Sequence, residues 1–194
     1  MQSRISEQEG QALVRLARKT IENYLGLQAS GGEAAPEPPE SEELRKPRGV
    51  FVTLHKKGRL RGCIGYLEAR EPVVEAVKDN ALNAAFRDPR FSPVMPSELP
   101  DLDIEVSVLT EPRPLQYAGV RDLLEKLRPG VDGVIIRKGF SSATFLPQVW
   151  EQLPDGREFL GQLCLKAGLP ADAWMRGDLE VLTYQVQCFE EKLR

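Results

Sequence analysis

Long apolar runs are missing from this chain of 194 residues, and so is any excess of positive charge: 26 Lys and Arg stand against 29 Asp and Glu, a net charge of −3. No stretch approaches the ~18 apolar residues that a membrane helix needs. The acidic balance removes the basic face that general nucleic-acid and anionic-membrane binders carry. Histidine is reduced to one, His55, which excludes a histidine-only metal site by number. Cys63, Cys164 and Cys188 are odd in number and widely spaced. They fit neither a disulfide framework nor the paired spacing of a zinc site, and reduced thiols in a cytosol follow. Gly130, Gly133 and Gly139 lack the Gly-Lys-Ser/Thr ending of a phosphate loop, and no Gly-x-Ser-x-Gly elbow accompanies Ser141, Ser142 and Thr144. The opening stretch from Met1 to Arg18 is polar and charged rather than an apolar signal segment. These absences predict a cytoplasmic protein with no membrane span, no metal site and no nucleotide motif, with nucleic acid disfavoured as a partner.

What is present suits a globular protein. Hydrophobic residues make up 41% of the chain, enough to fill one domain or two lobes sharing a core. Ser6 followed by Glu9 has capping-box spacing, and Leu13, Leu16, Ala17, Thr20, Ile21, Tyr24 and Leu25 share one helical face. From Ala29 to Pro47 prolines, glycines and glutamates replace apolar residues, which predicts a flexible loop. A hairpin is expected from Gly49–Lys56 and Leu60–Leu67. Pro72 opens a helix whose stripe is Val73, Val74, Val77, Ala81, Ala84 and Ala85. Leu102–Leu109 alternates as a half-buried strand, with Asp103 and Glu105 on its polar face. Strands at Val131–Lys138 and Ser141–Phe145, a helix at Arg157–Ala167 and a terminal strand at Leu179–Phe189 complete the pattern. Cys164 and Cys188 read as packing residues, and Trp150 and Trp174 as core anchors. The expected fold class is α+β with a mainly antiparallel sheet and packed helices.

Leu60-Arg61-Gly62-Cys63-Ile64-Gly65 carries the most chemistry. Strand side chains alternate, so Arg61 and Cys63 are expected on one face, where a guanidinium would favour the thiolate. Gly62 and Gly65 allow another backbone or a ligand to come close. Against this stands cysteine's ordinary use as a small buried filler. If Val52 and Leu54 share a buried face with Leu60 and Ile64, parity puts Thr53, His55, Arg61 and Cys63 together on the other. His55 beside Cys63 would be the arrangement that activates cysteine nucleophiles; the alternative is an exposed histidine near a Lys-Lys-Gly turn. Asn80 and Asn83, three apart on a helix, serve either ligand contact or hydrogen bonds to backbone. Arg87 and Arg90 flank the Asp88-Pro89 turn and suit either recognition of a carboxylate or phosphate or a solvated ion-pair cluster.

The hexapeptide, the run from Asn80 to Pro93, Glu105–Leu109 with Pro112, Gly133–Gly139, Leu146–Val149 and Lys166–Leu169 form an ordered set of blocks that resembles the AMMECR domain family. The resemblance implies a single domain over residues 1–194 made of two α+β lobes, with the hexapeptide near a cleft between them. It implies no settled reaction and no cofactor. Its prokaryotic members suggest pathway partners, a Memo-like protein and a radical S-adenosylmethionine protein. The resulting expectation is an enzyme or enzyme subunit with a small anionic-molecule site. Cys63, Arg61 and His55 are its candidate catalytic residues, and Gly62, Gly65, Asn83, Arg87 and Arg90 its candidate ligand-binding residues. The alternative is a non-catalytic ligand-binding or assembly module in which the hexapeptide strand is structural.

Overall fold

The structure is a computed structural model and describes residues 4–27 and 41–191. Five α-helices are described: α1 (Glu7–Tyr24), α2 (Glu42–Arg45), α3 (Val73–Phe86), α4 (Val120–Lys126) and α5 (Gly156–Lys166). The strands are β1 (Val50–Lys56), β2 (Arg59–Tyr66), β3 (Leu102–Leu109), β4 (Arg113–Pro114), β5 (Gly133–Lys138), β6 (Ser141–Phe145), β7 (Glu180–Tyr184) and β8 (Val186–Glu190). They form two antiparallel four-stranded sheets, so the class is α+β. The contacts divide the chain into two compact units. One runs to Thr110 and resumes at Gln187; the other is Glu111–Val186.

The first unit holds the sheet β2-β1-β3-β8, with α1 and α3 packed on one face. Alternation explains that face: Val50, Val52 and Leu54 of β1 and Ile104, Val106 and Val108 of β3 are all buried beneath the helices. α1 begins at the expected capping box, with Ser6 Oγ accepting from Glu9 N at 3.3 Å while the Glu9 carboxylate accepts from Ser6 N at 2.7 Å. It buries Leu13, Val14, Ala17 and Ile21. α3 presents alanines to the sheet and comes close. A Cβ built on Gly62 of β2 would lie 2.2 Å from the Ala84 carbonyl oxygen, so only glycine allows this approach of helix to strand. Asn80 of α3 is fully buried and donates to the Val50 carbonyl at 3.2 Å, the backbone role open to it from sequence.

The second unit has the sheet β4-β7-β5-β6 and its own core of Leu123, Val134, Ile136, Leu160 and Leu163, with Trp150 stacked on Phe159 at 3.7 Å. Trp150, Trp174 and Cys164 are buried there, as expected.

Three expectations need correction. The terminal strand is two: β7 belongs to the second sheet and β8 to the first, parted at Gln185. Each half is held by a missing side chain elsewhere, since a Cβ on Gly133 would overlap the Tyr184 ring and one on Gly10 the Phe189 ring, at 2.3 and 2.0 Å. Leu60 is not on the buried face; it is 43% exposed. Cys188 is an exposed residue rather than core packing. The predicted loop at 29–47 lies outside the described residues for 29–40, while residues 42–45 form α2, whose Leu44 is buried.

Gly62→Ala should destabilise the first unit by about 1–3 kcal/mol, the cost of overpacking against backbone that cannot swing away. Gly161→Ala on α5, where the nearest heavy atom to a new Cβ is 3.5 Å away, should cause no loss because alanine favours the helix. Urea unfolding of both variants checks this; equal midpoints would show that the close approach of α3 is not constraining.

Candidate functional site

The β1–β2 connection is a two-residue turn, Lys57-Gly58, with φ of 51° and 73°, the left-handed pair that matches the twist of a hairpin. Pairing runs Val52↔Ile64, Thr53↔Cys63 and Leu54↔Gly62, then shifts so that His55 faces Leu60. Arg61 is the extra residue. This bulge removes it from the alternation that would have stacked it beside Cys63. Its guanidinium instead grips Glu98, with Nε and Nη2 donating at 3.1 and 3.0 Å, and Lys56 Nζ donates to the same carboxylate at 2.8 Å. His55 sits between Leu60 on one side and Asp103 on the other, two residues along β1 from Thr53.

Cys63 is held by a different set. β2 is an outer strand, and at Cys63 its open edge is closed by side chains rather than by another strand. Cys63 N donates to Asp88 Oδ2 at 2.9 Å, and the Cys63 carbonyl accepts from Arg90 Nη2 at 3.0 Å. Asp88 also accepts from the Arg90 backbone N, Nε and Nη2, at 3.1, 2.9 and 2.7 Å. α3 ends at Phe86, and the Asp88-Pro89 turn that follows delivers both groups to the strand. With its backbone directed outward, Cys63 pairs with Thr53 in the close, non-hydrogen-bonded manner. Thr53 Oγ1 donates to Cys63 Sγ at 3.3 Å. The Phe91 ring lies beside both arginines, 6.0 Å from the Arg61 guanidinium and 5.4 Å from that of Arg90.

Electrostatics follow from these pairings. Asp88 has a side chain only 1% exposed, and its hydrogen bonds from Arg90 and from Cys63 N hold its carboxyl well below the usual carboxylate range despite burial. Arg61 and then Lys56 bring Glu98 down to about 2. Arg90 is raised, first by Asp88, with the Cys63 sulfur contributing less. The other two thiols are pushed up, Cys164 by full burial and Cys188, exposed as a residue, by desolvation of its sulfur. For Cys188 the sulfur lies 3.4 Å from Ser107 Oγ, and Glu105 and Glu190 add repulsion. Arg61 Nη1 is buried with no partner among the described residues.

Of the residues singled out from sequence, Cys63 and Arg90 are in direct contact. Arg87 belongs to a separate chain of contacts, donating to Asn83 Oδ1 at 3.2 Å while Asn83 Nδ2 donates to Tyr66 Oη at 3.4 Å. Gly62 makes room for α3 and Gly65 for the Phe51 ring, 2.4 Å from a built Cβ. Asp88, Thr53, Glu98 and Phe91 were not among the expected site residues. The two-residue spacing of Asp88 and Arg90 around a proline was the available signal. Among the described residues no group of three His, Cys, Asp or Glu side chains is placed to hold a metal, and no helix is long and apolar enough to cross a membrane. An open groove of about 430 Å³ between α5 and the Ala171–Met175 turn has none of these residues in its lining.

The family model AMMECR1 matches residues 14–189. The chain belongs to the AMMECR1 family. A protein of Methanothermobacter thermautotrophicus is 44% identical over 189 residues, covering 96% of each chain. Protein MK0488 of Methanopyrus kandleri is 44% identical over 200 residues, covering 99% of this chain and 93% of that one. Among solved structures, uncharacterized protein PH0010 from Pyrococcus horikoshii superposes with a TM-score of 0.77 at 41% identity, covering 97% of this AMMECR1 chain and 94% of its own.

Because Asp88 and Glu98 titrate lower in the folded than in the unfolded chain, the stability they supply is complete above about pH 5 and drains away as the pH falls toward the folded values. Glu98→Gln should flatten the acid limb between about pH 5 and pH 2 in urea unfolding at stepped pH. An acid limb parallel to that of the unmodified protein would show that the Arg61–Glu98–Lys56 cluster adds no pH-dependent stability.

Proposed function

We propose that this AMMECR1-family protein is an enzyme or enzyme subunit acting on a small anionic molecule at a site centred on the Cys63 thiol. The supporting observation is the surroundings of Cys63: a part-exposed thiol that receives a hydroxyl hydrogen bond from Thr53 and shares its backbone with the Asp88–Arg90 pair. The Thr53 hydroxyl fixes the orientation of the sulfur, and the exposed part of the residue leaves it open to a ligand. In this reading Cys63 is the reacting group and Arg61 supports the site through Glu98. His55 would exchange protons only after reaching the thiol from two residues away along β1. The Memo-like and radical S-adenosylmethionine proteins suggested by the family resemblance would supply or consume the molecule, and a cytoplasmic setting suits a reduced thiol.

A second reading has its own observation. Gly62 and Gly65 are filled against by Ala84 and Phe51, so the hexapeptide strand also fits a non-catalytic ligand-binding or assembly module in which its small residues serve packing.

Alkylation separates the two. Under limiting iodoacetamide at pH 7–8 in the folded protein, peptide mapping should find Cys63 modified before Cys188 and Cys164. Cys164 is fully buried, and the Cys188 sulfur, set against Ser107 although the residue as a whole is exposed, is pushed up by desolvation and by Glu105 and Glu190. Faster modification of Cys188, or an inert Cys63, supports the packing module.

A further inference from the structure

Arg61 and Arg90, the two arginines flanking the Phe91 ring, are not equivalent. Arg61 has a side chain 12% exposed, and Nε and Nη2 are both engaged by Glu98. An anion arriving from solvent would have to displace that carboxylate to use it. Arg90 is 53% exposed, while its partner Asp88 is 1% exposed. The pair is therefore oriented, with the carboxylate inside and the guanidinium outside. Its Nε and Nη2 are fixed by Asp88 and by the Cys63 carbonyl, which leaves the exposed part of the head group toward solvent. The Phe91 ring at 5.4 Å limits the swing of the head group. A guanidinium held in this way has lost most of its rotamer freedom before any ligand binds, which is the condition for efficient recognition of an oxyanion.

We infer that Arg90 is the group that receives the anionic end of the ligand beside Cys63, and that this end is an oxyanion of the carboxylate or phosphate type. The inference rests on the reading of Cys63 as a reactive thiol and specifies which cation serves it. Arg90 also answers an electrostatic difficulty of that reading. An anionic ligand and a thiolate repel, and a cation anchored on the Cys63 carbonyl offsets part of that repulsion.

Two alkylating agents of nearly equal size test this. Iodoacetate is anionic and iodoacetamide neutral; with either, the Cys63 thiolate forms a carbon–sulfur bond as the carbon–iodine bond breaks and iodide leaves. Both report on the same thiolate, so the ratio of their rate constants cancels changes in thiol ionisation and in strand position. What remains is attraction for the carboxylate. The iodoacetate to iodoacetamide ratio at Cys63 should exceed that of free glutathione by about three- to tenfold at low salt. Arg90→Gln should return it to the glutathione value, and Arg90→Lys should give an intermediate ratio. Arg59→Gln, which removes an exposed charge from the same strand, should leave it unchanged. Inorganic phosphate in the unmodified protein should slow iodoacetate at Cys63 more than sodium chloride of the same ionic strength does, which tests the site without any substitution. An unchanged ratio in Arg90→Gln, an equal fall in Arg59→Gln, or equal effects of phosphate and chloride would overturn the assignment of Arg90 while leaving a reactive Cys63 intact. Failure of both reagents at Cys63 would instead remove the thiol reading on which the assignment rests.

Discussion

A buried carboxylate closing the open edge of an outer strand is the interaction on which the geometry of the first unit depends. Burying an ionised carboxylate is costly unless its lone pairs are satisfied by well-placed donors. Asp88 receives four: Cys63 N and, from Arg90, the backbone N, Nε and Nη2. Arg90 returns a hydrogen bond to the Cys63 carbonyl. Together the two side chains do at one residue what a neighbouring strand would do along a whole edge. An unpaired edge invites association with other chains, and this device blunts it at Cys63 without adding an element. Removing either partner leaves a buried charge or an unpaired strand group, so the pair stands or falls as a unit.

The same accounting limits what the arginines can do. Arg61 and Arg90 each sit against a carboxylate, so the positive charge near Cys63 is smaller than a count of arginines suggests. Orientation matters more than number. The Glu98 carboxylate is shared by Arg61 and Lys56 in a half-buried cluster, whereas the Asp88 carboxylate points inward and leaves the Arg90 guanidinium facing water. Which end of the Asp88–Arg90 pair faces solvent is a property of the turn after α3.

Much of this fold is legible in the sequence because alternation and capping are local. Val50, Val52 and Leu54, the capping box at Ser6 and the stripe of α3 all follow from spacing alone. The division at Gln185 is not legible, since β7 and β8 read as one continuous strand and are parted by partners distant in sequence, Gly133 and Gly10. At the candidate site, period-two reasoning holds for Cys63 opposite Thr53 and fails for Arg61, because one extra residue on β2 adds a bulge that no composition signals. Leu60 is misplaced for the same reason. Asp88 reads from sequence as a turn residue and an ion-pair partner for the arginines, and its bond to the edge of β2 appears only once the turn is docked there.

Packing and chemistry are therefore not competing uses of the hexapeptide. Gly62 has no side chain, so α3 descends until the Ala84 carbonyl nearly touches the strand. That descent carries the end of the helix, and the Asp88–Arg90 turn after it, to the edge of β2 at Cys63. A side chain at position 62 would lift α3 and withdraw the guanidinium from the Cys63 carbonyl along with it. The glycine that looks purely structural is the reason a cation reaches the cysteine, so any chemistry at Cys63 inherits the packing of Ala84 as a precondition.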